Sequence, residues 1–137
     1  FKEQFFRQIA SMKENCAFFH VLLGDAVIST ELALLGGGRM YSYLGGTDSA
    51  YFQYRPNDFL KWNMICWGAE HGLQAFILGG GYGADDGIYR YKKSFAPHSA
   101  AAFYTGQAIF DQAAYDMLTA LRTDLPENSG FFPRYRA

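Results

Sequence analysis

Between Leu73 and Pro97 an apolar run, Ala75-Phe76-Ile77-Leu78, stops on three glycines, Gly79-Gly80-Gly81. A glycine- and aspartate-rich turn follows, then a short amphipathic segment carrying Arg90, Lys92 and Lys93. The apolar run reads as a buried strand. Glycines directly after such a strand let backbone approach another backbone, or a ligand, closely. Cations just beyond them meet whatever anionic or carbonyl group sits there. The chain upstream must then supply a sheet and a helix that hold this turn in place.

It does so in order. Phe5, Phe6, Ile9 and Met12 share one face of Lys2 to Glu14, which predicts an amphipathic helix with Asn15 as its stop. Cys16 to Leu23 reads as a strand, Gly24-Asp25 as a hairpin turn and Ala26 to Leu35 as the return strand. In that return strand Ile28, Thr30, Leu32 and Leu34 alternate with Val27, Ser29, Glu31 and Ala33, so one face is expected to be better buried than the other. Gly36-Gly37-Gly38 turns the chain into a third strand, Arg39 to Leu44, which ends at Gly45-Gly46. Thr47 to Tyr54 reads as a polar and aromatic loop.

Arg55-Pro56-Asn57-Asp58 starts a second helix, with Asn57 or Asp58 as the residue whose side chain accepts from free backbone N–H groups. This helix runs to His71, and Gly72 closes it. Phe59, Leu60, Trp62, Met64, Ile65, Cys66, Trp67 and Ala69 cover most of its circumference, which predicts packing on more than one side. The strand Leu73 to Leu78 then pairs in parallel through this crossover. A short helix around Asp86 to Phe95, a strand from Ala101 to Phe110 and a helix from Asp111 to about Arg122 complete the series. The aromatic and basic tail from Phe131 to Arg136 is expected to dock on the body.

Composition sets limits. Of 137 residues, 50% are hydrophobic and 18% aromatic, which suits a thick core with aromatic-lined grooves. A formal net charge of −1 supplies no global basic field for nucleic acid. Cys16 and Cys66 lie in apolar segments and read as buried reduced thiols, which suggests a cytoplasmic protein. No run approaches the about 20 apolar residues of a membrane span.

Gly79-x-Gly81-x-x-Ala84 fits the dinucleotide fingerprint literally. That fingerprint also needs a βαβ unit and an acidic residue about 20 positions on. Tyr104 stands there, and the upstream chain is a meander, so the match is a decoy. His20, His71 and His98 are isolated, and no spacing resembles a metal site or a nucleophile elbow. Lys92 is left as the main candidate. Ile88, Tyr91 and Phe95 form one helical face that it flanks, while Lys93 points farther round. It is either an ordinary solvated lysine or a cation set to offset a developing oxyanion or hold a phosphate near the glycine turn. Arg55, at a helix N-terminus, is the second candidate for an anionic ligand.

Five motifs stand in sequence: Tyr43-Leu44-Gly45-Gly46, Arg55 to Trp62, Trp67-Gly68-Ala69-Glu70-His71-Gly72, Leu78-Gly79-Gly80-Gly81 and Tyr91-Lys92-Lys93-Ser94-Phe95. In order and spacing they resemble the C-terminal GNAT-like domain of the FemABX aminoacyltransferases and BioF2-like acyltransferases. The last is similar to that family's FKxxF motif, with Tyr91 for the first Phe.

The resemblance implies an α+β (α/β) fold on a GNAT-like mixed sheet: helix, three-strand antiparallel meander, central helix, parallel strand, helix, further strand and C-terminal helix. Residues 1–137 would form one such domain, the C-terminal part of a longer protein whose N-terminal sister domain has the same fold. The implied activity is acyl or aminoacyl transfer to an amine by direct attack. Lys92 is then catalytic, and Arg55, Asn57, Gly79, Gly80, Gly81 and Tyr91 shape the donor or acceptor groove. The donor is acyl-CoA (acetyl-CoA) or an aminoacyl-tRNA, the acceptor a small molecule or a peptidoglycan precursor. No metal is implied; tRNA and a second copy of the chain are further candidate partners. One departure bears on the donor: Gln53-Tyr54-Arg55-Pro56-Asn57-Asp58 lacks the glycines with which standard members bind the CoA pyrophosphate. The alternative is a non-catalytic module of this fold that packs against its sister domain and only shapes a groove.

Overall fold

A computed structural model describes residues 1–83, 85–126 and 130–137, in two compact units, Phe1–Ser99 and Ala100–Ala137. The first unit is built on a four-stranded mixed sheet in the order β1-β2-β3-β4. After the short helix α1 (Glu3–Ala10), strands β1 (Cys16–Leu23), β2 (Ala26–Gly36) and β3 (Arg39–Thr47) form the expected antiparallel meander. Gly24 (φ 59°) makes the first reversal and Gly37 (φ 57°) the second, in the left-handed region that side chains resist. Helix α2 (Pro56–Glu70) then crosses to β4 (Ala75–Ile77), which pairs in parallel with β3 from Arg39↔Ala75 to Tyr41↔Ile77. Helix α3 (Gly87–Phe95) closes the functional part of the unit.

The core lies between the sheet and α2. Val21, Ile28, Ala33, Met40, Leu60 and Met64 are buried together, Met40 and Met64 completely. Each large apolar side chain contributes about 1.5–3 kcal/mol by leaving water. Trp67 seals one end, edge-on to Phe19 with ring centroids 5.2 Å apart and stacked on His71 at 4.0 Å.

Several expectations change. The first helix stops at Ala10 rather than Glu14, because Lys13 turns into the left-handed region (φ 51°) and a 3₁₀ turn, Lys13–Asn15, feeds β1. Strand β3 runs through Gly45 and Gly46 to Thr47, since both glycines pair with β2. The segment read as a loop winds into a 3₁₀ helix, Ser49–Tyr54, capped by Asp48 accepting from the Ala50 N–H at 3.0 Å. Strand β4 is shorter than predicted, because only Arg39 to Tyr41 of β3 lie opposite it. Both alternating sets of β2 contribute buried residues: Ile28 and Leu32 from one, Ser29, Glu31 and Ala33 from the other. Helix α2 packs mainly on one side, leaving Phe59 and Trp62 exposed by 60% and 62%. Cys16 and Cys66 are free thiols but half-buried rather than buried.

In the second unit, α4 (Gln112–Ala120) starts where predicted, with Asp111 accepting from the Ala114 N–H at 2.9 Å. The tail returns onto this helix: Tyr115 stacks with Phe132 and meets Tyr135 edge-on, and Arg122 donates to the carbonyls of Tyr135 and Ala137. The strand expected over Ala101 to Phe110 is absent. An apolar segment becomes a strand only when a sheet edge pairs its N–H and C=O groups, and residues 101–110 are all solvent-exposed and outside the sheet. Among the described residues no helix is long and apolar enough to cross a membrane.

Candidate active site

A cavity of about 460 Å³ opens in the first unit where the end of β3, the start of α2 and the start of α3 converge. Its lining includes Glu31 from β2, Gly45, Gly46 and Thr47 from β3, Asn57 and Lys61 from α2, and Ile88, Tyr91 and Lys92 from α3. Two side-chain systems organise it.

The first is a buried ion pair. Lys61 Nζ donates to both oxygens of Glu31 at 2.6 Å, with the side chains 5% and 4% exposed. Ser42 Oγ donates to Glu31 Oε1 at 2.6 Å, and Lys61 lies 5.3 Å from the centre of the Phe76 ring. Removing two such ions from water costs several kcal/mol each, so they persist only with short contacts and satisfied hydrogen bonds. Their position follows from the pattern Asn57, Lys61, Met64, Gly68, one stripe at helical spacing facing the sheet.

The second system ties α3 to the glycine turn. Lys92 Nζ donates to the Gly80 carbonyl at 2.7 Å. Gly79 has φ 72° and lies against that ammonium, 3.6 Å from where its Cβ would stand. Asp86 caps α3, accepting from the Tyr89 N–H at 2.7 Å, and its carboxylate also receives the N–H groups of Tyr82 and Gly83 at 2.6 and 3.0 Å. These bonds, led by the one from Tyr89, hold its carboxyl below the usual range. A Cβ on Gly81 would overlap the Asp86 carboxylate. Gly81→Ala must therefore displace the cap, and about 1–2 kcal/mol of stability should be lost, the scale of a removed N-cap. Urea unfolding checks this; an unchanged midpoint contradicts the clamp.

Electrostatics distinguish the titratable groups. Burial first, then the positive charge of Lys61, lowers the pKa of Lys92, against the opposing pull of Glu31 and Asp86. Among the described residues Lys92 pairs with no carboxylate. Burial and then the nearby Asp58 carboxylate push the Tyr91 phenol well above its usual value, so it stays protonated. The Tyr91 hydroxyl accepts from Asn57 Nδ2 at 2.8 Å, which joins the first turn of α2 to α3.

Of the predicted site residues, Lys92, Tyr91 and Asn57 line the cavity together. Gly79 and Gly80 lie behind Lys92, and Gly81 packs on Asp86 instead. Arg55 is exposed and outside the lining. It is itself the N-cap residue of α2, in the left-handed region (φ 49°) and without a side-chain cap bond, so the expected Asn57 or Asp58 cap is not made. The Asp58 and Phe59 N–H groups bond back to the Arg55 carbonyl, and Pro56 has none. Ala84, the last position of the fingerprint match, lies outside the described residues. Glu31 and Lys61 escaped the sequence reading, although Lys61 sits on the stripe that faces the sheet. Among the described residues no group of three or more His, Cys, Asp or Glu is placed to hold a metal ion.

A family model described as the acetyltransferase (GNAT) domain matches residues 1–93, which contain the sheet, α2, the glycine turn and Lys92. No curated protein matches the chain. No solved structure matches it either.

Proposed function

The chain belongs to the acetyltransferase (GNAT) domain family, and from that membership we propose that it forms an amide bond in the cavity between β3, α2 and α3. A primary amine attacks the carbonyl carbon of an acyl donor directly. The C–N bond forms as the carbonyl electron pair moves to oxygen. Collapse of this tetrahedral intermediate expels the donor's thiolate or alkoxide, which takes up the proton the amine releases. Lys92 offsets the charge on the oxyanion, an interaction made in the transition state and not in the ground state.

The observation that carries this reading is the half-buried Lys92 ammonium, set in the cavity with no carboxylate partner among the described residues. Tyr91 and Asn57, bonded to each other, line the same cavity. The finer assignment is a FemABX/BioF2-like N-acyltransferase that acts on a small amine or a peptidoglycan precursor, alongside a sister domain of the same fold.

For the donor, acyl-CoA is favoured over aminoacyl-tRNA, because the family is that of the acetyltransferase (GNAT) domain and a net charge of −1 supplies no overall basic field for a tRNA. At the start of α2 a CoA diphosphate would be met by Arg55, which is exposed, and by Asn57, which lines the cavity. Calorimetric titration with CoA tests this: saturable binding is expected, with none to tRNA at the same salt. Binding of tRNA alone reverses the donor assignment. One observation favours a non-catalytic module instead. Among the described residues Glu31 is the sole carboxylate lining the cavity, it is tied to Lys61, and no histidine lines the cavity. That reading predicts binding of neither donor.

A further inference from the structure

An ammonium carries three N–H donors on a long flexible stem, and it supports an oxyanion only when a donor already points where the charge will develop. Lys92 Nζ gives one donor to the Gly80 carbonyl at 2.7 Å, which fixes the stem and leaves two for the cavity that the residue lines. That carbonyl belongs to Gly79-Gly80-Gly81, a run with no side chain of its own to hold it in shape. The hold comes from Asp86. Its Oδ2 accepts the Tyr82 and Gly83 N–H groups at 2.6 and 3.0 Å, and its Oδ1 accepts the Tyr89 N–H at 2.7 Å. Gly81 packs so closely on this carboxylate that a Cβ would overlap it. A helix cap needs one acceptor oxygen, which serine supplies as well as aspartate does. The second oxygen of Asp86 reaches back to the turn, and Asp86 itself does not line the cavity.

We propose that Asp86 is the positioning residue for Lys92: its Oδ2 fastens the glycine turn, and the Gly80 carbonyl of that turn holds the ammonium in the direction that meets the oxyanion. The carboxylate touches no substrate and acts through Lys92. As a charge it also faces Lys92, alongside Glu31 from β2 and opposed by Lys61 from α2. Of the other charges on the turn and α3, Arg90 pairs with Asp85 and Lys93 lies over the Tyr89 ring. Removing the Asp86 charge therefore makes the Lys92 ammonium easier to deprotonate as well as freer to swing. The inference rests on the oxyanion role of Lys92 and adds the residue that sets its direction.

Asp86→Ser isolates the claim, because serine keeps the cap on the Tyr89 N–H and removes the oxygen that holds the turn. Two readouts need no turnover. In amide hydrogen exchange Tyr89 should stay protected, whereas Tyr82 and Gly83 should lose protection. The Lys92 side-chain resonance, identified by its absence in Lys92→Ala, should titrate at lower pH in Asp86→Ser than in the wild type. With acetyl-CoA and a primary amine, kcat should fall about 10–100-fold, the scale of a misplaced catalytic group, while KM changes less than about twofold. In the Lys92→Ala background the same substitution should change kcat less than about twofold, because residues that act as one unit are not additive. Asp86→Thr, with the same single cap oxygen, should behave alike. Unchanged kcat in Asp86→Ser, an equal fall with and without Lys92, or an unmoved Lys92 titration would overturn the proposal and leave the amide-forming reading standing. Loss of protection at Tyr89 in both variants would make Asp86 a plain helix cap and overturn it too. A Lys92→Ala variant as active as the wild type would overturn both readings.

Discussion

Replacing Lys92 by alanine should lower the turnover of amide formation by about 10²–10³-fold, the scale of removing one oxyanion-stabilising donor. The fold should survive, because the side chain is only half-buried and its hydrogen bond to the Gly80 carbonyl can pass to water. The pH profile provides an independent readout. Catalysis by an ammonium is lost as pH rises through its pKa, and burial together with Lys61 lowers that pKa below the ordinary 10.5. The alkaline limb of kcat should therefore lie below that value in the wild type. In Lys92→Arg, whose guanidinium stays charged, it should move upward. Unchanged turnover in Lys92→Ala would remove the lysine from the chemistry.

Lys61→Ala should be the most destabilising single change near the site, at about 3–5 kcal/mol, because it leaves the Glu31 carboxylate buried without its counter-charge. A domain of ordinary stability, about 5–15 kcal/mol, would lose a large part of its margin. The double variant Glu31→Leu with Lys61→Met removes both charges and should recover most of that loss. Urea unfolding midpoints distinguish the cases. A cost below about 1 kcal/mol for Lys61→Ala, typical of exposed pairs, would mean that water reaches the carboxylate. The pair is thus costly to break and cheap to delete, which suits a function beyond holding the fold.

The meander and its parallel fourth strand were legible because their signals are local. Gly24 and Gly37 mark reversals that require positive φ, and the apolar runs between them alternate or break at each turn. Lys92 was singled out from its position after the glycine turn and from the FKxxF-like motif, and the cavity brings it together with Tyr91 and Asn57. Glu31 and Lys61 were hidden for a physical reason. They are 30 residues apart, and each alone looks like a solvated charge among apolar neighbours. Only the folded register, which sets α2 across the middle of β2, turns them into a pair. Asn57 was assigned to capping on the strength of its residue type, yet its amide serves Tyr91, because Arg55 already turns the chain into the helix. Residues 101–110 failed in the opposite sense: their apolar content suggested a strand, but they are exposed and form no strand.

Incubating the protein with radiolabelled acetyl-CoA and a panel of primary amines, then separating amides from unreacted donor, tests the central claim most directly. Labelled amide should form with the wild type, saturate in both substrates and fall at least a hundredfold with Lys92→Ala. A protein that binds CoA yet transfers no label to any amine, or transfers it equally well without Lys92, would contradict amide formation at this cavity.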